Sequence, residues 1–115
     1  MQDSKCWLYG RGAYFAERAL YAHTSYAHRV AGPSTTYQLI LAHVLCGKEQ
    51  VMGAATDRTL ATPPPGFHSI RGGPHKHHRQ DADATGSDVW AVYDTAQSYP
   101  AYIITYKSNE RARLR

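Results

Sequence analysis

Residues 37–46, Tyr-Gln-Leu-Ile-Leu-Ala-His-Val-Leu-Cys, form a nearly continuous apolar run that Gly47 ends. Its length fits a β-strand buried on both faces, although a buried helical segment shows the same lack of alternation. Leu39, Ile40, Leu41 and Val44 are then the expected central strand of a sheet. A chain of 115 residues, 43% of them hydrophobic, is limited to one domain and one modest core around such a strand. That hydrophobic fraction argues against wholesale disorder. No apolar run approaches the ~20 residues of a membrane span, and no charged-then-apolar leader opens the chain, so a membrane or secreted protein is not expected.

The flanking sequence supplies partners for that strand. Trp7-Leu-Tyr-Gly-Arg-Gly12 is an apolar touch followed by a turn, with two glycines where the backbone must bend or approach something closely. From Tyr14 the pattern is helical: Phe15, Ala19, Ala22 and Tyr26 recur at helical spacing, and Gly32-Pro33 stops the run. Residues 53–87, with Pro63-Pro-Pro-Gly66 and Gly72-Gly-Pro74, lose periodicity and read as one long, mobile loop. Val89 to Tyr93 and Tyr102 to Tyr106 read as two strands, joined closely enough to form an antiparallel pair, with Pro100 as the first residue of the second. The expected class is α+β with one main helix.

The net charge of +4 does not mark a nucleic-acid surface. Lys107, Arg111, Arg113 and Arg115 against Glu110 place +3 in the last nine residues, and the rest carries 9 basic against 8 acidic residues. Residues 108–115 are a basic tail, and a nucleic-acid partner is not expected. Cys6 and Cys46 lack metal or redox spacing and fit a reducing compartment, with Cys46 read as a small buried hydrophobe. His68, His75, His77 and His78 invite a zinc reading, but a Gly/Pro loop with no cysteine or further ligand does not make a tetrahedral site. Tyrosine is over-used, nine against two Phe and two Trp, which suits either half-buried strands or a pocket that stacks a planar ring.

Three segments in order carry a resemblance: Gly10-Arg-Gly-Ala-Tyr-Phe-Ala16 with the following helix bearing Tyr21 and Tyr26; Leu39 to Gly47 with Pro64-Pro-Gly-Phe-His-Ser-Ile-Arg-Gly72; and Val92-Tyr-Asp-Thr-Ala-Gln-Ser-Tyr-Pro-Ala-Tyr-Ile-Ile-Thr-Tyr106. The chain resembles the catalytic domain of the poly(ADP-ribose) polymerase (PARP) family, the diphtheria-toxin-like ADP-ribosyltransferases. The resemblance runs from Leu8 to Tyr106 and weakens over residues 75–87. It implies that residues 1–107 form a partial PARP-like catalytic domain: a glycosyltransferase (pentosyltransferase) fold with an incomplete mixed or antiparallel sheet. NAD is then the donor, protein side chains are the acceptors, and nucleus or cytoplasm is the location. On the family pattern Tyr14 is the triad tyrosine under the nicotinamide, and Tyr26 is the second ring of the sandwich. Phe15, Ala16, Ala22 and Ser25 border the same site, and His68 and Ser69 lie on the acceptor loop. On the residues alone, without the flanking Gly-Arg-Gly and Phe-Ala, Tyr14 and Tyr26 read as core-facing helix positions.

The sequence departs from the family pattern at two triad positions. The 13 residues before Tyr14 hold no histidine, so the family's His-Gly strand has no counterpart here and the chain resembles the C-terminal part of the domain. That reading expects the chain alone to be inactive, to self-associate through unpaired sheet edges, or to take the strand from another chain. Val89 stands where polymerising members carry glutamate, which implies transfer of a single ADP-ribose or none. Asp88 is one residue away, and on a strand that offset points to the other face. Ala22 stands where many members have a serine, with Ser25 as the alternative. The other class of function left open is a catalytically inactive remnant that binds a ligand or a partner.

Overall fold

The computed structural model describes residues 8–31, 35–76 and 86–108. Cys6, Gly32, Pro33, His77, His78 and the tail from residue 109 lie outside them, as do the expectations placed there. The chain is α+β, with two sheets and little helix. The elements in order are β1 (Ala13–Ala16), α1 (Ala19–Tyr26), β2 (His28–Arg29), β3 (Thr36–Val44), β4 (Glu49–Gly53), β5 (Ser69–His75), β6 (Ser87–Val92) and β7 (Ser98–Lys107). One sheet has the order β1-β6-β5-β4 and is mixed, since β4 and β5 run parallel. The other, β2-β3-β7, is antiparallel. Among the described residues no helix is long and apolar enough to cross a membrane.

Four expectations are corrected. The helix does not start at Tyr14: Tyr14 and Phe15 lie in β1, paired with Ala91 and Trp90 of β6, and the helix begins at Ala19. The aromatics prefer the pleated surface, and a helical spacing that spans Phe15 to Tyr26 cannot reveal that its first member belongs to a strand. Residues 53–87 are not one loop, because β5 is the inner strand between β4 and β6. Gly-Gly-Pro is a poor strand sequence, yet it is held there by Ile70, which is fully buried, and by Gly72. A Cβ on Gly72 would lie 1.8 Å from the Tyr9 hydroxyl, so only glycine leaves room for the phenol.

The third correction concerns β6 and β7, which lie in different sheets. A 3₁₀ turn over Thr95–Gln97, with Asp94 and Gln97 forming a capping box, redirects the chain between them. The Gln97 amide then donates to the carbonyls of Leu45 and His68, 3.0 Å each, tying the turn to segments that follow β3 and precede β5. Pro100 is consequently inside β7, where the register shifts opposite Leu41 and Ala42, and β7 is an edge strand that tolerates a missing donor. Fourth, β3 is central to its sheet but not buried on both faces: Ile40 is 63% and Leu41 53% exposed, and Ile103 of β7, opposite Ile40, is 69% exposed. Cys46 beyond it is half-buried rather than a core residue.

The core sits on the inner face of the first sheet. Tyr9, Ile70, Val89 and Ala91 are buried together, with Leu8, Tyr14, Tyr21, Met52, Leu60 and Tyr93 packed around them. The stretch between β4 and β5 is pinned to the turn before β1, where Arg11 N–H donates to the Leu60 carbonyl (2.9 Å) and Asp57 N–H to that of Leu8 (3.0 Å). Gly10 makes that approach possible: its φ is +79°, and a Cβ there would lie 1.9 Å from the Leu60 oxygen.

Candidate functional site

The pairing of β1 with β6 sets Tyr14 beside Ala91 and Ala16 beside Val89, so these four side chains share one face of the sheet. Helix α1 packs back over that face. The result is a cavity of about 260 Å³ lined by Leu8, Tyr14, Phe15, Ala16, Tyr21, Ala22, Tyr26 and Val89. Its lining is uncharged, with aromatic rings from β1 and from both turns of the helix. The volume lies just below the usual range of small-molecule sites and suits a single-ring ligand. A broader groove of about 550 Å³ adjoins it, continuing past Tyr26 and His28 to Gln38, Ile40 and Ile103 of the second sheet.

Tyr14 is fixed within this wall. Its hydroxyl accepts the Tyr9 N–H at 3.0 Å and donates to the Gly10 carbonyl. Its ring stacks on Tyr9, with centroids 6.3 Å apart and planes 20° from parallel. Tyr9 is itself fully buried, with its hydroxyl 2.6 Å from His75 Nε2 and its carbonyl accepting the Tyr93 hydroxyl at 2.6 Å. Burial pushes the Tyr9 phenol up to about 12 and also raises that of Tyr93. The same burial lowers His75, against a smaller opposing pull from the Asp88 charge.

The outer face of the same sheet is charged. Asp88 accepts two N–H groups of Arg71, at 3.0 and 2.9 Å, and Arg71 lies 5.3 Å over the Trp90 ring. The Trp90 indole donates to Glu49 at 2.8 Å, and Glu49 is 3.7 Å from Arg71. Asp88 is therefore occupied on the face opposite Val89, as the strand offset requires.

Of the residues singled out in the sequence, Tyr14, Phe15, Ala16, Ala22, Tyr26 and Val89 meet at the cavity. Ser25 belongs to α1, and its side chain lies outside the described set. His68 and Ser69 are elsewhere. His68 lines a separate groove with Phe67, Pro63, Asp94 and Gln97, and its Nδ1 accepts the Lys48 N–H at 2.9 Å. Ser69 is fully buried in β5, its hydroxyl without a partner among the described residues, so it presents nothing to an acceptor. Sequence reasoning missed Tyr9 and His75 as supports of the site. Their contact spans 66 residues and carries no local pattern. No protein-family model matches the chain.

Proposed function

We propose that this chain carries the nicotinamide-binding wall of an NAD-dependent ADP-ribosyltransferase with a PARP-like fold, one that transfers a single ADP-ribose from NAD to protein side chains. The observation that carries this reading is the convergence on one cavity of six residues drawn from β1, α1 and β6, each assigned to the site by the family resemblance. The cavity suits its ligand. Departure of nicotinamide breaks the bond from its ring nitrogen to the ribose carbon, and the ring leaves neutral, so aromatic faces and an uncharged lining serve it better than a counter-charge. The ribose carbon becomes oxocarbenium-like and is attacked by the acceptor. The adjoining groove gives the rest of NAD a direction to run.

Val89 is 4% exposed and apolar, and no carboxylate lines the cavity among the described residues. Nothing in this wall can polarise a ribose hydroxyl for chain growth, which supports single transfer. Transfer is proposed for an assembly in which a histidine-bearing strand of the family kind completes the cleft beside this wall. Nucleus or cytoplasm is the proposed location. A second reading, binding without transfer, is favoured by the same Val89 and uncharged lining.

Titration of nicotinamide into the labelled chain, followed by NMR, tests the reading. Shifts should concentrate on Tyr14, Ala22, Tyr26 and Val89, and Tyr14→Ala should weaken the binding by roughly two- to tenfold, since a stacking ring contributes roughly 0.5–1.5 kcal/mol beyond its burial. Shifts centred on the His68 groove, or none at any accessible concentration, would refute it. A fusion restoring a His-Gly strand, incubated with labelled NAD, then separates transfer from binding.

A further inference from the structure

Tyr14 does not hold its own position. Its hydroxyl sits on two backbone groups of the preceding turn, the Tyr9 N–H and the Gly10 carbonyl, so the pose of its ring follows the placement of residues 9 and 10. Tyr9 is in turn anchored at both ends. The Tyr93 hydroxyl donates to its carbonyl, and its own hydroxyl, fully buried beneath Gly72, meets His75 at the end of β5. A buried phenol needs an acceptor for its proton, and His75 Nε2 provides one in the tautomer protonated at Nδ1. The rings of Tyr9 and His75 are tilted at 53° with centroids 6.0 Å apart, so they meet edgewise through the hydrogen bond.

We infer that His75 is a positioning residue for the cavity: by accepting the Tyr9 hydroxyl it holds the turn that aims the Tyr14 ring. The inference rests on the nicotinamide reading only for the identity of the ligand. The mechanical part, His75 to Tyr9 to Tyr14, stands on geometry alone.

A dependence on pH follows. Protonated His75 has two donors and no acceptor, so it can only donate to the Tyr9 oxygen, and the phenol proton must turn elsewhere and lose the buried partner it had. The groups that bear on His75 are the Tyr9 phenol, the Asp88 carboxylate of β6 (itself held by Arg71) and Lys76 next in the chain. Burial disfavours the imidazolium more than Asp88 favours it, so the switch lies on the acid side of an ordinary histidine.

The test follows the Tyr14 and His75 ring signals by NMR from pH 8 to pH 4 in the intact chain, in Tyr9→Phe and in His75→Gln, with nicotinamide affinity measured at both ends. In the wild type the Tyr14 signals should titrate with His75, and nicotinamide should bind about three- to tenfold more weakly in acid, the effect of one hydrogen bond. His75→Gln, whose amide oxygen also accepts, should keep the neutral-pH pose and lose the pH response. Tyr9→Phe should uncouple Tyr14 from His75 while the spectrum stays dispersed. Tyr14 signals indifferent to His75, or a pH response that survives Tyr9→Phe, would overturn the inference. Nicotinamide that binds at neither pH while Tyr14 still follows His75 supports the inference and removes the nicotinamide reading.

Discussion

Gly72→Ala isolates the packing on which the site depends. Its backbone lies outside the left-handed region, so alanine meets no intrinsic strain there. The added Cβ would instead lie 1.8 Å from the Tyr9 hydroxyl and 2.7 Å from the ring carbon that bears it, with the Gly53 carbonyl at 3.3 Å. Neither of the first two distances can be tolerated, so the phenol must leave or β5 must move. Tyr9 has no exposed surface, and expelling its ring forfeits what deleting a buried aromatic forfeits, about 3–5 kcal/mol, with the His75 hydrogen bond adding about 1 kcal/mol. That approaches the whole stability of a domain this size, roughly 5–15 kcal/mol. Tyr9→Phe removes the oxygen but leaves the ring carbon too close, so the alanine should cost less in that background without becoming neutral. Urea unfolding of the two single variants and the double variant, read by tryptophan fluorescence, gives the coupling, expected at about 1–3 kcal/mol. A Gly72→Ala cost below about 1 kcal/mol, or strict additivity with Tyr9→Phe, would show that the phenol does not lie under Gly72.

Three further outcomes are expected. Ser69→Ala should be neutral or stabilising by up to about 2 kcal/mol in calorimetry, because the buried hydroxyl has no partner among the described residues; clear destabilisation would reveal one. His75 is depressed in the folded state, so its contribution to stability is present above the unfolded value near 6.5 and is lost as pH falls through the folded pKa; His75→Gln should flatten that slope in urea midpoints taken from pH 8 to pH 4, and an unchanged slope would assign it to other groups. Ile103→Lys, on the exposed edge strand β7, should shift sedimentation toward monomer relative to wild type, since Ile40 and Ile103, paired across β3 and β7, are exposed side by side on one face of the sheet; a wild type that sediments as monomer throughout would discard self-association.

The cavity was more legible in the sequence than the sheets that build it. Tyr14, Ala22, Tyr26 and Val89 were assigned to one site only through the family resemblance, and the structure brings all four to one cavity. Tyr14 was expected on a helix and lies on a strand, yet it faces the same site. Strand pairing was not legible. β5 reads as breakers until Tyr9, more than 60 residues earlier, is found occupying the space that Gly72 leaves. The short link from Val92 to Ser98 suggests a hairpin, but Gln97 spends its amide on carbonyls from two other segments and sends β7 to the second sheet. Ser69 was expected on the acceptor loop because a serine beside a histidine in a Pro/Gly-rich stretch reads as surface, and it is instead fully buried within β5.

A single strand divides the electrostatics of the site. Along β6, Asp88 and Trp90 point to the face where Arg71 and Glu49 form a charged ladder, while Val89 and Ala91 point into the core. Exchanging Val89 for a carboxylate would bury a charge in contact with Tyr14 and Ala16 and with no cation on that face among the described cavity residues, so the sheet as built selects against an acid there. Moving Asp88 inward by a one-residue slip would expose Val89 and Ala91 and break both bonds to Arg71. The two routes by which this strand could acquire a catalytic carboxylate are therefore both closed by packing that the core already uses. What remains at the cavity is shape and aromatic surface, the means for holding a neutral ring; in the proposed transfer, the charge that develops would have to be met by groups beyond this wall.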